Sequence, residues 1–439
     1  MTGRKRLTLL GLLLLLTLGA AFWAQRQAQA PPPALPQTEM PRGRWRLAPP
    51  PTGSANTANA TPEDLARTIS LPYLAGSQAA PGAPVGSGVT VWDRKRAFPG
   101  INLYTSGHAP EVILMDMSGR IGHRWRYPFE RAFPGKAPTD ETPFFRRAQL
   151  GADGTLYAIY QGGGLIALDP SSRLLWKVDA GTYNDFFLAP DGAVYLLAKE
   201  AKRIPEISAT GLVLEDSILV VGRDGKVRDR ISLLRALLDS PYAKLFSPRL
   251  PAGDVLHSNT IEVFDGRLAS RSPLFAAGNA LVSFRQIDTI GIVDLKARRF
   301  VWAQRGPWAG QHQPTLLDNG RILLFDNQPH ERSSRALEFD PLSGTIEWQY
   351  PPPAAPSDAK GIPLLASEQA GACQRLPNGD TLITESDHGQ AFEVTPAGET
   401  VWEFVSPHRA GKKGVLVATL FEVYRYPLGM LPKEWPVGK

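Results

Sequence analysis

The chain has 439 residues, 43% of them hydrophobic and 21% charged, which is the balance of a globular protein long enough to bury its own core. Its 40 prolines and 41 glycines imply many turns, as in an all-β protein. The net charge of +6 arises within the first fifty residues, where Arg4, Lys5, Arg6, Arg26, Arg42, Arg44 and Arg46 face only Glu39, so the neutral remainder excludes a nucleic-acid-binding footprint.

In chain order, a basic "GRKR" precedes "LTLLGLLLLLTLGAAFWA", residues 7–24, eighteen residues without a charge. That run is just long enough to span a bilayer. A small-x-small cleavage site exists at Ala28-Gln29-Ala30, but Pro31 disfavours its use. We expect an uncleaved anchor over residues 1–24, with a cleaved signal segment as the other reading. Either one leaves the basic cluster inside and the bulk of the chain across the membrane. In a bacterium this means a single-pass inner-membrane protein facing the periplasm. Residues 25–92 are rich in Pro, Ala, Gly and Ser and are expected to be a linker, with a short helix around 62–74.

From residue 93 to 439 a repeat dominates. A strand, an Asp/Gly turn and a second strand ending in Trp recur as "VILMDMSGRIGHRW", "LIALDPSSRLLW", "IGIVDLKARRFVW", "ALEFDPLSGTIEW" and "AFEVTPAGETVW", with "ILVVGRDGKV" as a degenerate copy. Between these lie other hairpins, "GADGTLYAIY", "LAPDGAVYLL", "LLDNGRILLF" and "RLPNGDTLIT". Asp-Gly and Asn-Gly suit the positive φ values of tight hairpin turns. Four strands about every fifty residues predict a β-propeller of four-stranded antiparallel blades. Six outer hairpins predict six blades, with a seventh if 96–110 or 410–425 build another. The long interval between Val227 and Trp302 holds "ISLLRALLDSPYAKLF", 231–246, whose apolar spacing predicts a helical insertion.

No GxSxG elbow, HExxH, P-loop or EF-hand loop is present. The single cysteine, Cys373, excludes an internal disulfide, a CxxC pair and a cysteine-built zinc site. Histidine is what remains. His257 ("DVLHSNTIEV") and His312 ("GQHQPTLL") stand where the chain enters a blade, and His388 ("ITESDHGQAFEV") stands between two hairpins. Segments entering propeller blades run along the central axis, so all three can converge on one funnel. Any one such histidine is more often structural. Three together, with Asp254, Asn259, Gln311, Gln313, Glu385 and Asp387 beside them, point to a proton-handling site. Arg332 and Arg335 follow the hairpin after His312 and suit an anion, or a solvated turn. His123, beside Trp125, reads as structural, while His108 and His408 carry no assignment.

The runs "LHSNTIEV", "GQHQPTLLDNGRILLFDN", "SSRALEFDPLSGTIEWQY" and "LPNGDTLITESDHGQAFEVTPAGETVWEF" resemble the arylsulfotransferase family, over roughly residues 150–425. These are bacterial periplasmic six-bladed propellers. The resemblance implies sulfuryl transfer from an aryl sulfate donor to a phenolic acceptor, ping-pong, through a sulfohistidine, with no metal or diffusible cofactor. It matches His257 and His312 to the two motif histidines and His388, by order, to the sulfated one. Arg332 and Arg335 both remain candidates for the sulfate-binding arginine, and Asn259 joins them as a substrate-binding candidate. Many members carry a disulfide near the site, which one cysteine excludes here. The rival readings are a non-catalytic periplasmic propeller acting as a binding or scaffold module of the cell envelope, and a quinone-dependent dehydrogenase. The dehydrogenase would need more blades, a calcium site and paired cysteines.

Overall fold

A computed structural model describes residues 44–47 and 86–430, apart from 140, 141, 330, 332, 360, 362 and 411–415. The apolar run 7–24 and the helix expected around 62–74 lie outside the described residues. Among the described residues no helix is long and apolar enough to cross a membrane.

Six antiparallel blades follow in chain order. Blade 2 comprises Arg147–Leu150, Leu156–Tyr160, Gly164–Leu168 and Leu174–Val178. Blade 3 comprises Thr182–Leu188, Val194–Lys202, Val213–Val221 and Val227–Ser232. Blade 4 comprises Ser258–Val263, Asn279–Phe284, Thr289–Asp294 and Arg299–Arg305. Blade 5 comprises His312–Leu316, Ile322–Asp326, Arg335–Phe339 and Ile346–Tyr350.

The two ends of the chain build the other two blades together. The C-terminal strand Leu420–Pro427 pairs with Gly100–Ser106 and becomes the inner strand of blade 1, before Glu111–Met115 and Ile121–Arg126. Gly100–Ser106 and Leu420–Pro427 therefore complete one blade rather than add a seventh, while Leu416–Ala418 pairs instead with Trp45–Leu47 and Arg409–Ala410. Blade 6 (Ala372–Arg375, Thr381–Glu385, Gln390–Val394, Thr400–Val405) gains a fifth, outer strand from Gly88–Trp92. Residues 88–92 had been read as the end of the linker. Their "GVTVW" alternation finds the free edge of Thr400–Val405, so the propeller starts five residues earlier than composition suggested.

The central strands are apolar on both faces because each blade is covered on both sides. Leu156, Ala158 and Tyr160 pack toward blade 1, whereas Tyr157 and Ile159 pack toward blade 3. Six apolar clusters result, one between each pair of neighbouring blades. Trp125 and Trp402 are fully buried in two of them, as core markers should be. The predicted insertion is present as a short helix, Leu233–Leu238. Ser232 caps it, and its Leu233, Leu234 and Leu237 join the cluster between blades 3 and 4. The hairpin at Asn319-Gly320 differs in detail from the expected turn. Only Gly320 takes a positive φ, of 75°, and Leu317 closes the loop by bonding both Gly320 and Arg321. It is a type I turn with a left-handed glycine.

A buried polar network crosses the axis. Gln313 of blade 5 donates to Glu422 of blade 1 at 3.2 Å. Arg147 of blade 2 bonds the other Glu422 oxygen at 2.7 Å and pairs with Asp185 of blade 3. Asp185 in turn accepts from the Ile261 amide of blade 4 at 3.0 Å. Burial pushes the Asp185 carboxyl up to about 6, partly offset by Arg147. We expect Arg147→Ala to destabilise the propeller by about 3–5 kcal/mol, because it strands two buried carboxylates. Arg147→Met with Asp185→Asn and Glu422→Gln should recover much of the loss. Urea denaturation of the three proteins measures both.

Candidate functional site

Antiparallel blades return every inner-strand start and every second-to-third-strand connection to the same end of the propeller. His257, His312 and Asn184 stand at inner-strand starts. Arg285 and His388 stand in second-to-third-strand connections. The inner strands of blades 1, 3, 4 and 5 are each bulged at this end, with register shifts at Leu420/Glu422, Thr182/Phe186, Ser258/Thr260 and His312/Thr315. Asn184, His257 and Gln313 adopt left-handed φ values of 56°, 55° and 47° there. Bulges re-aim side chains, and non-glycine residues hold this conformation at a cost of about 1 kcal/mol or more. Here they turn consecutive side chains toward the axis.

His312 is 1% exposed. Its Nδ1 lies 2.7 Å from Asn327 Oδ1 and 3.0 Å from the Gly310 carbonyl. The Asn327 amide is oriented without ambiguity, since its Nδ2 donates to the carbonyls of Ser367 and Ala370. Nδ1 therefore faces two acceptors and carries the proton. Nε2 then holds a lone pair, and it is buried without a hydrogen-bond partner. Burial first, then the positive charges of Arg285 and Arg146, hold the ring's pKa well below its usual value.

His257 has the same tautomer for a different reason. Its Nδ1 lies 2.5 Å from Asp254 Oδ2, and its Nε2 faces Asn184 Nδ2 at 3.5 Å. Lys199 Nζ bonds the same Asp254 oxygen at 2.6 Å. Burial and the Lys199 charge outweigh Asp254 and lower the His257 pKa to about 4. The Asp254 carboxyl is held below its usual range by Lys199 and His257, against the effect of burial. Arg285 also acts on His257, so the two imidazoles and this guanidinium share one electrostatic neighbourhood. Arg285 has a single long hydrogen bond, 3.5 Å to the Glu368 carbonyl, and its Nε has no partner.

The other candidates are placed as follows. His388 is 6% exposed, with Nδ1 2.8 Å from Glu385 Oε1, on the same face in blade 6. Asn259 is buried and ties blade 4 to blade 5 by donating to the Gln311 carbonyl at 2.7 Å. Arg335 bonds Asp326 Oδ2 at 2.8 Å, the Pro307 carbonyl at 2.6 Å and Gln349 Oε1 at 3.4 Å, so its guanidinium is engaged within blade 5. Arg332 lies outside the described residues. His123 bonds the Pro170 carbonyl at 2.9 Å beside Trp125, in keeping with a structural role.

Arg146, Arg285, Lys199 and Asn327 were not singled out from the sequence. Position could have flagged two of them. Arg146 precedes the inner strand of blade 2 as His257 precedes that of blade 4, and Arg285 follows the second strand of blade 4 as His388 follows that of blade 6.

Two neutral imidazoles and two guanidinium groups thus share one end of the propeller, a combination whose charge suits an anion. The arylsulfotransferase (ASST) family model matches residues 157–407, and the chain belongs to that family. No curated protein matches the chain. Among solved structures it is similar to a Bacteroides caccae protein of unknown function, at 14% identity and TM-score 0.48, covering 73% of this chain and 99% of that one. It is also similar to the Myceliophteria thermophila Cps50 (Swd1) propeller domain, at 13% identity and TM-score 0.43, covering 78% and 98%. A third is virginiamycin B lyase from Staphylococcus aureus, at 12% and 0.35, covering 64% and 83%.

The depressed His257 pKa has a thermodynamic consequence. Between pH 6.5 and about 4 the unfolded chain takes up a proton that the folded ring refuses, so this residue costs stability as pH falls. We expect wild type to lose on the order of 3 kcal/mol more than His257→Gln across that window. Paired urea titrations at pH 7 and pH 4.5 read the difference, in which the buried carboxylates that do not touch His257 cancel.

Proposed function

We propose that the axial cluster transfers a sulfuryl group from an aryl sulfate to a phenol through a covalent histidine intermediate. The carrying observation is the unpartnered, unprotonated Nε2 of His312, beside two arginines. In the first half-reaction Nε2 attacks sulfur. The S–N bond forms, the S–O bond breaks, and the electron pair leaves with the phenolate. Arg285 and Arg146 favour the anionic ester and its sulfuryl oxygens. Asn327 and the Gly310 carbonyl hold the Nδ1 proton as the ring becomes cationic. In the second half-reaction a phenol attacks the same sulfur, the N–S pair returns to the ring, and His257 Nε2 takes the phenol proton. Asp254 and Lys199 fix that tautomer.

The resemblance assigned the nucleophile to His388. We favour His312, because Arg285 and Arg146 act on its ring and suit an anionic ester, whereas the His388 ring is paired with the Glu385 carboxylate, which repels one. The remaining assignment of Arg332 as a sulfate ligand is kept as a proposal, as are the periplasmic location and the anchor at residues 7–24. Separation of membranes, followed by protease access to intact spheroplasts, tests the location.

Purified protein should transfer sulfate from p-nitrophenyl sulfate to phenol. We expect His312→Ala to lower kcat/KM by about 10⁴-fold or more, and His257→Ala by about 10²–10⁴-fold. Peptide mapping after reaction with donor alone should find the added sulfuryl mass on the His312 peptide. Finding it on the His388 peptide would move the nucleophile. Full turnover in both His312→Ala and His388→Ala would sink the sulfohistidine route. Failure of the wild type to turn over any aryl sulfate would favour the scaffold reading. Because the His312 ring stays neutral well below its usual range, kcat/KM should remain level as pH falls through 6.5 and drop only in more acidic buffer.

A further inference from the structure

His108 and His408 lie at the same end of the propeller as His257 and His312 but bond a different set of residues. His108 lies in the connection between the second and third strands of blade 1, and His408 in the connection from blade 6 to the C-terminal inner strand. The chain ends thus bring them together at the seam where the ring closes. Their rings stack at 3.4 Å with 7° between planes. One nitrogen of each ring and one carboxylate oxygen of Glu111 all lie within 4.8 Å of one another.

We propose that His108, Glu111 and His408 form a binding site for one divalent ion of the zinc class. Two imidazoles and a carboxylate are three ligands of the type and number that zinc takes, with a fourth position left for water or another ligand. The outer contacts fit as well. Metal-bound imidazoles keep the second nitrogen on a hydrogen-bond partner. His108 Nε2 faces Glu111 Oε1 at 2.6 Å while its Nδ1 meets Ser106 Oγ at 2.5 Å. The Tyr104 hydroxyl holds His408 Nε2 at 3.0 Å, which leaves Nδ1 to the ion. The His108 side chain is 13% exposed and that of Glu111 8%, so the group is sheltered yet open to entry. Arg124 Nη1 stands 3.7 Å from Glu111 Oε1 and is the cation an ion would displace. Parallel rings aim their lone pairs side by side, so binding requires one ring to tilt. His408, half-buried beside exposed Pro407, is the one that turns, about its hydrogen bond to Tyr104.

The site shares no residue with the axial cluster, and the proposal stands apart from sulfuryl transfer. Its role would be to clamp the ring closure, since the ion joins a blade 1 connection to the chain that leaves blade 6.

The test uses the full chain, stripped with chelator and titrated with ZnCl2 alone by calorimetry, and with CoCl2 followed by visible absorption. We expect one equivalent to bind, a tetrahedral Co2+ band, and a rise in Tm with zinc. His108→Ala and His408→Ala should lose binding and the Tm rise. Glu111→Gln, which keeps the hydrogen bonds, should also lose it, and Tyr104→Phe should weaken it by about 10–100-fold. His312→Ala should bind as wild type. Circular dichroism of the metal-free variants checks that each is folded. If a ligand variant is not, Glu111→Gln decides. Absence of stoichiometric binding by wild type, or unchanged binding in Glu111→Gln, would overturn the proposal.

Discussion

The site depends on the ion pair of Arg147 with Glu422 and Asp185 at the centre of the ring. A propeller's axis is where all the inner strands converge and where backbone alone leaves a hole. Here Arg147 joins blades 1, 2 and 3, Asp185 extends the link to the Ile261 amide of blade 4, and Gln313 brings in blade 5. Blade 6 is attached nearby, where Thr384 Oγ1 accepts from the Val423 amide at 3.0 Å. A network of this kind contributes little net stability against an apolar plug, but breaking one member strands the rest. Its value is positional: it ties blades 1 to 5 together beside the inner-strand starts that carry the histidines.

The bulges act beside that network. An unbulged strand would send neighbouring side chains to opposite interfaces between blades. At the start of the inner strands the extra residue lets consecutive side chains share the axis. In this way His312 bonds Asn327 while Gln313, next to it, reaches Glu422. The strain of left-handed φ at Asn184 and His257 sits at the functional end of the molecule, where strain of this kind collects.

The histidines are kept neutral by two different means. At His312 a neutral amide and a carbonyl fix the proton, so only the Asn327 hydrogen bond, and no carboxylate, opposes the desolvation of the cation. At His257 a carboxylate would raise the pKa, but Lys199 neutralises it and leaves only its orienting effect. Both rings consequently carry their lone pair on Nε2. Two guanidinium groups nearby suit a substrate that is itself an anion.

The repeat of Asp-Gly and Asn-Gly turns and the tryptophan-ended hairpins were enough to give six blades, because each property is local to about ten residues. The positions of His257 and His312 at blade starts were equally legible. What the linear chain withheld was every relation between blades. It could not say that residues 88–92 and 420–427 would close two blades, because strand pairing across the whole length has no local signature. Nor could it separate Arg335, engaged with Asp326, from Arg285, which faces the histidines, because both are arginines beside a strand end. That choice was made by the ring closure and the bulges, which decide which side chains reach the axis and which are consumed in holding it together.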